Sequence, residues 1–185
     1  MASVTPTTPA ASDAWRLFVA LWPDTVARQA LQHACDRLPR ERIGRRVEPE
    51  RLHLTLHFIG AMPPARLPAL RAALDLAVEP CTLQLDRLEA WPRGLLVWRA
   101  SVVPAALAEG HRRIGQVLSG LGLPVERRAF RPHVTLARRA APDVPLPLLP
   151  PLDWPVHGHR LVRSSPLGGY EPLADWRWPG ATCRT

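Results

Sequence analysis

The pattern of hydrophobic and polar positions along the chain predicts several strands and three helices. Near-alternating or short apolar runs predict strands at about 15–21, 51–59, 81–90, 94–100, 130–138, 155–164 and 169–176. Apolar residues at three- and four-residue spacing predict helices at about 24–38, after Pro63–Pro64 and at about 104–121. Asp24 is placed to cap the first helix, and Gly122 to follow the end of the third.

This order of elements predicts an α+β fold. We expect two pseudo-symmetric lobes whose antiparallel sheets line a central groove, with the helices on the outside. Residues 14–178 are predicted to form a single bilobal domain, between a disordered tail at 1–13 that is rich in Ser, Thr, Pro and Ala and a short tail at 179–185. Five prolines make 141–151 a stiff, extended connection.

Composition narrows the class of protein. Of the 185 residues 46% are hydrophobic, which is typical of a globular domain. The net charge of +8 arises from 24 basic residues, all arginine, against 16 acidic ones, and such a field attracts phosphates and RNA. Three cysteines without metal-site spacing, no membrane-length apolar run and no signal-peptide pattern predict a reduced, cytoplasmic protein without a membrane partner. No obligate protein partner is evident.

A short string that occurs twice is the strongest chemical feature: His53-Leu54-Thr55-Leu56 and His133-Val134-Thr135-Leu136. In a strand, the His and Thr of each copy point to one face and the apolar pair points to the other. Either copy alone is a weak signal. If the two copies face each other across a groove, two imidazoles and two hydroxyls meet there, a set suited to acid–base chemistry on a phosphate ester.

The residues around both strings resemble a known family. HLTLHFIG and FRPHVTLAR are similar to the two signatures of the RNA 2′,3′-cyclic phosphodiesterases once named 2′-5′ RNA ligases, members of the two-histidine (2H) phosphoesterase superfamily. The early RLFVA resembles that family's first strand, and 161–173 resembles its final part. The resemblance spans about residues 15–178, with a segment at Ser164–Tyr170 that is shorter than usual for the family.

The resemblance implies hydrolysis of terminal 2′,3′-cyclic phosphates on RNA or nucleotides to 2′-phosphomonoesters, and reversible 2′-5′ ligation without ATP. It implies His133 as the base that activates water and His53 as the acid, although the two roles can be exchanged. Imidazole suits both roles because its pKa lies near neutrality. The resemblance further implies that Thr55, Thr135 and an arginine hold the phosphate oxygens. No metal or other cofactor is expected.

Several residues keep more than one interpretation. Arg138 matches the family arginine, although strict alternation would place Arg139 on the face of His133 unless a bulge intervenes. His57 and Arg131 are candidate substrate contacts. Alternation places His57 on the same face as His53 and Thr55, and Phe58 in the core.

Competing functions are also open at this stage. His157 and His159 could form part of a zinc site, although no third ligand is obvious. An RNA-binding module with a degenerate site and a phosphodiesterase for a cyclic small molecule are the alternative functions.

Overall fold

The computed structural model describes residues 14–165 and 168–180, and most of its strands form one antiparallel sheet. The strands are β1 (Trp15–Leu21), β2 (Arg45–Arg46), β3 (Leu54–Met62), β4 (Cys81–Leu85), β5 (Arg87–Trp91), β6 (Leu95–Arg99), β7 (His133–Arg138), β8 (Leu152–Val156), β9 (Gly158–Ser164) and β10 (Tyr170–Arg177). The helices are α1 (Thr25–Asp36), α2 (Leu67–Ala73) and α3 (Ala105–Gly120). The α+β class predicted from the sequence is confirmed.

The helix boundaries follow from local sequence signals. The Asp24 carboxylate accepts a hydrogen bond of 2.8 Å from the Ala27 amide and caps α1. Gly122 follows α3 with φ of +67°, a conformation that costs glycine little. Both helices bury the apolar stripe predicted from their spacing, including Leu31 of α1 and Ile114 of α3. Their position over the core leaves the opposite face of the sheet free to form a groove.

The main sheet consists of two halves that meet at one point. Its strand order is β10-β9-β1-β3-β7-β6-β5, and β2 pairs with the end of β7. The central strands β3 and β7 are joined through the single pair Leu54 and Val134. These two residues directly follow His53 and His133, so the junction of the halves brings the two predicted motifs together.

The strand predicted at 81–90 is in fact two strands in different sheets. Residues of β4 pair with β8 in a separate two-stranded sheet, whereas β5 pairs with β6 in the main sheet. The break falls at Asp86, whose carboxylate accepts a 2.7 Å hydrogen bond from the Ser101 amide. A polar residue that bonds a neighbouring loop stops the strand, which periodicity alone does not reveal.

One hydrophobic core runs through both halves, with buried residues contributed by all three helices and by strands on each side of the β3–β7 junction.

The predicted tail at 1–13 lies outside the described residues, as does 181–185 of the second tail. None of the helices in the described ranges has the length and apolar character needed to cross a membrane. Cys35 and Cys81 are free thiols. The cytoplasmic location stays a prediction.

His159, one half of the candidate zinc pair, is 3% exposed and belongs to the core. Its Nε2–H donates to the Leu74 carbonyl at 3.0 Å, and its Nδ1 accepts the Trp178 indole N–H at 3.0 Å. Burial lowers its pKa to about 4. Because both ring nitrogens are engaged inside the protein, the imidazole links β9 to the segments around it and has no nitrogen left for a metal ion.

Candidate active site

The two motif strands share an irregularity that decides which side chains reach the groove. In β3 the pairing with β1 passes from Thr55 to His57, so Leu56 is an extra, bulged residue. In β7 the pairing with β6 passes from Thr135 to Ala137, so Leu136 is the bulge. A bulge reverses the alternation of side chains beyond it. The motif strands therefore present equivalent sets: His53, Thr55 and Phe58 from one, and His133, Thr135 and Arg138 from the other.

The two motif histidines have the same orientation. Nδ1 of His53 lies 2.6 Å from the Arg51 carbonyl, and Nδ1 of His133 lies 2.7 Å from the Arg131 carbonyl. Since a carbonyl oxygen only accepts, each Nδ1 carries the hydrogen. Each Nε2 is thereby left to accept or donate a proton on a bound molecule. Both imidazoles line one groove of about 970 Å³.

Aromatic rings surround His53 on three sides. The Trp22 ring stacks on it with a centroid distance of 5.3 Å and an interplanar angle of 8°. The Phe18 and Tyr170 rings lie 5.1 Å and 5.2 Å from it. His133 has one such neighbour, Trp91, at 4.5 Å. These contacts orient the imidazoles and remove water from around them.

The surroundings make both motif histidines hard to protonate in the empty groove. The pKa of His53 is lowered to about 4, first by burial and then by the positive charges of Arg138, Arg51 and His133, against the opposing effect of its carbonyl hydrogen bond. Burial also lowers the pKa of His133 against the opposing effect of its hydrogen bond to the Arg131 carbonyl, and the positive charge of Arg131 adds a smaller lowering. A bound phosphate anion would favour the protonated forms.

Arg138, not Arg139, lies on the groove face. The bulge at Leu136 leaves Ala137 buried and turns Arg138 into the groove beside Thr135. Arg139 follows the strand with φ of +56° and is outside the groove lining. The arginine that matches the family signature is therefore the one that can reach a bound anion, and the bulge is the physical reason.

His57 does not share the face of His53, so its predicted position is wrong. The bulge at Leu56 turns its side chain inward, where it is 2% exposed. Its Nε2–H donates to the His111 carbonyl at 2.9 Å, and its ring stacks on the His111 ring at 4.1 Å. A Cβ at Gly115 would lie 3.2 Å from His57 Cε1, so glycine provides the space for this ring. His57 is a structural contact between β3 and α3.

Phe58 takes the place on the groove face that alternation gave to His57. Its side chain is 69% exposed and lines the groove, so the prediction of a core position is wrong. The Phe18 ring lies 6.3 Å from it. Phe58 is the counterpart of Arg138, so corresponding positions of the two halves offer an aromatic surface and a positive charge.

Arg131 lies at the edge of the groove, as predicted for a candidate contact, but it is already paired. Its guanidinium lies 4.6 Å from the centroid of the Trp91 ring and 3.2 Å from a Glu89 carboxylate oxygen. The pair holds the edge of the groove in place beside His133.

Sequence reasoning missed several residues of the site: Arg45, His111 and Tyr170 line the groove, and Trp22 stacks on His53. They lie outside both motifs, on segments distant in the sequence that the fold brings together. Aromatic and basic composition was the only available signal, and composition does not specify position.

No group of three or more His, Cys, Asp or Glu side chains within 14–165 and 168–180 is placed to hold a metal ion. The groove lining contains imidazoles, hydroxyls and seven guanidiniums, against the two carboxylates of Glu48 and Glu126. That set suits an anion, since guanidiniums and hydroxyls donate hydrogen bonds to phosphate oxygens.

Comparison with known proteins agrees with this geometry. The family model of LigT-like phosphoesterases matches residues 21–98. The chain is 37% identical to an RNA 2′,3′-cyclic phosphodiesterase of Thermus thermophilus, over 80% of this chain and 81% of that protein. It is 31% identical to the enzyme of the same name from Escherichia coli, over 89% and 97%. The crystal structure of E. coli LigT complexed with 3′-AMP superimposes with a TM-score of 0.80 at 26% identity, covering 90% of this chain and 99% of that one.

The chain therefore belongs to the LigT-like phosphoesterase family. The resemblance inferred from the two motifs is confirmed.

The neighbours Arg138 and Arg139 form a matched pair for testing the position of the anion. We expect Arg138→Gln to weaken binding of inorganic phosphate by about tenfold, because a charge-assisted hydrogen bond is lost. Arg139→Gln removes the same charge one residue away and should change the affinity less than about twofold. Isothermal titration calorimetry measures both. Loss of affinity in Arg139→Gln with none in Arg138→Gln would show that the bulge does not set the anion site.

Proposed function

We propose that the protein hydrolyses terminal 2′,3′-cyclic phosphates of RNA or nucleotides to 2′-phosphomonoesters. The observation that carries this proposal is the convergence of two imidazoles, neither with a hydrogen-bond partner for Nε2 among the described residues, on one groove that also contains Thr55, Thr135 and Arg138. Opening a cyclic phosphate requires one group to take a proton from water and another to give a proton to the departing oxygen. The relatives named for this activity support the same assignment.

In the proposed reaction, Nε2 of neutral His133 takes a proton from a water molecule as its oxygen bonds to phosphorus. The bond from phosphorus to the ribose 3′ oxygen breaks, and Nε2–H of His53 gives its proton to that oxygen. Thr55, Thr135 and Arg138 donate hydrogen bonds to the nonbridging oxygens, where negative charge grows. The product is a 2′-phosphomonoester. The same steps with a 5′ hydroxyl in place of water as the attacking group would form a 2′-5′ linkage, and their reversal would break that linkage and restore the cyclic phosphate.

The first test is turnover of an oligonucleotide that ends in a 2′,3′-cyclic phosphate, in excess chelator. We expect the intact protein to form the 2′-phosphate, and His53→Ala and His133→Ala to lose about a hundredfold or more in rate, since each removes one proton transfer. Chromatography separates the 2′- from the 3′-phosphate product.

Absence of turnover on this oligomer and on a cyclic mononucleotide would overturn the proposed function. Salt-sensitive RNA binding without turnover would indicate a binding module. Turnover of another cyclic ester alone would indicate a small-molecule phosphodiesterase.

The lowered pKa values of His53 and His133 predict an acidic pH optimum for kcat/KM. Activity requires one imidazole protonated and the other neutral, and in the free protein both pKa values lie below the usual 6.5. As the pH rises above 6.5, the singly protonated form decreases by about tenfold per pH unit. The profile should therefore fall from pH 6.5 to 8.5. A kcat/KM that rises over this interval would contradict the burial of the two imidazoles.

A sulfur-substituted substrate distinguishes the acid from the base. When the 3′ oxygen of the cyclic phosphate is replaced by sulfur, the leaving thiolate needs no proton because its conjugate thiol has a pKa near about 8.5. We expect this substrate to restore most of the about hundredfold loss in His53→Ala and little of the loss in His133→Ala. The opposite pattern would exchange the two roles.

A further inference from the structure

Two arginines oppose each other on the groove face at the end of β7. Arg45 of β2 is the cross-strand partner of Arg138, and both line the groove. Cross-strand partners project from the same face with Cβ atoms about 5 Å apart, and like charges in this arrangement repel. The fold therefore places two arginines opposite each other on the groove face, where a bound anion would relieve the repulsion between their charges.

Three other groove arginines, Arg46, Arg128 and Arg131, are neutralised by carboxylates. Arg16 and Arg51 also line the groove without such a partner among the described residues, so Arg45 is distinguished by its position opposite Arg138. Arg46 lies 3.1 Å from Asp36, and Arg131 lies 3.2 Å from Glu89. Within the described part of the chain, neither Arg45 nor Arg138 forms such an ion pair. Their positive charges remain available to a ligand.

Arg45 extends the anion site beyond Arg138, away from the reacting groups. Arg138 lies at the opposite end of β7 from His133, and β2 pairs with β7 only there, through Ala137 and Arg138. Arg138 is close enough to His53 for its charge to lower the imidazole pKa. Arg45 lies one strand beyond Arg138, by about 4.8 Å, and is thus placed for a second phosphate further along a bound chain.

The size of the groove agrees with a ligand longer than one nucleotide. Its volume of about 970 Å³ is near the upper end of the roughly 300–1,000 Å³ typical of sites for single small molecules. Phe58 adds an exposed aromatic surface in the same groove, and nucleobases stack on such surfaces.

We propose that Arg45 binds the phosphodiester that precedes the terminal nucleotide, so that the groove takes an oligonucleotide end in preference to a mononucleotide. This inference rests on the proposed function, in which Arg138 holds the reacting phosphate. Arg45 is then a specificity-determining residue. It favours the longer substrate because it binds the second negative charge that an oligonucleotide carries, and it makes no contact with the reacting atoms.

The test compares two dinucleotides that end in a 2′,3′-cyclic phosphate and differ in one charge. One has an ordinary internal phosphodiester, and the other has an uncharged methylphosphonate there. We expect the intact protein to prefer the charged dinucleotide by about tenfold in kcat/KM, and Arg45→Gln to reduce this ratio to near one, because the contact is charge-assisted. The salt dependence of kcat/KM for the charged dinucleotide should decrease by about 0.7 in log–log slope in Arg45→Gln, as expected for one lost contact to a single strand.

Arg71→Gln is the matched control, since Arg71 is an exposed arginine of α2 outside the groove lining. The about tenfold ratio should persist in this variant. A ratio near one in the intact protein, or an unchanged ratio in Arg45→Gln, would overturn the inference. An equal loss on both dinucleotides in Arg45→Gln would also overturn it, because Arg45 would then act on the reacting phosphate.

Binding of the corresponding dinucleotide products, which end in a 2′-phosphate, separates this inference from the proposed function. Calorimetry with the charged and uncharged products reports the Arg45 contact without any reaction. An Arg45-dependent difference in a protein that turns over no cyclic phosphate would retain the second phosphate site and reject the hydrolase. Turnover with no such difference in either assay would retain the hydrolase and reject the second site.

Discussion

The groove depends on one extra residue that directly follows the threonine in each motif strand. Backbone groups of a bulged residue do not pair with the neighbouring strand, so they need hydrogen-bond partners elsewhere in the protein. The Leu136 carbonyl accepts the Val47 amide at 2.8 Å and the Cys35 thiol at 3.6 Å. At the other bulge, His57, which directly follows Leu56, donates from Nε2–H to the His111 carbonyl at 2.9 Å. Groups outside each ladder thus hold the bulges, and the bulges select the residues that face the groove.

The two halves of the site are held in register by contacts behind the groove as well as by the sheet. The backbone pairing between β3 and β7 is limited to one residue pair. A stack of three rings supplements it: His57 of β3 lies 4.1 Å from His111 of α3, which lies 4.0 Å from Phe130, three residues before His133. Packed rings resist compression. The stack therefore links the first motif strand to the approach of the second.

The electrostatics of the groove combine neutral imidazoles with excess positive charge. Burial and the nearby arginines disfavour protonation of His53, while Arg45 and Arg138 lack carboxylate partners among the described residues. Both conditions are relieved by the same event, the arrival of a phosphate anion. The negative charge of the bound phosphate would favour the protonated form of one imidazole, which can then act as the acid. Binding of the phosphate and the protonation state needed for the reaction are thereby linked.

The sequence by itself determined the α+β class, the major elements and the two histidine–threonine pairs. These follow from local signals: apolar periodicity, the Asp24 cap, Gly122 after α3 and the repeated strings. Only the tertiary structure decided which side chains enter the groove beyond each threonine, and it placed Phe58 and Arg138 there instead of His57 and Arg139. It also brought Arg45 opposite Arg138. The physical reason is that a bulge depends on how a strand pairs with its neighbours and on which distant groups bond its displaced backbone, and neither is encoded in the strand's own alternation of residues.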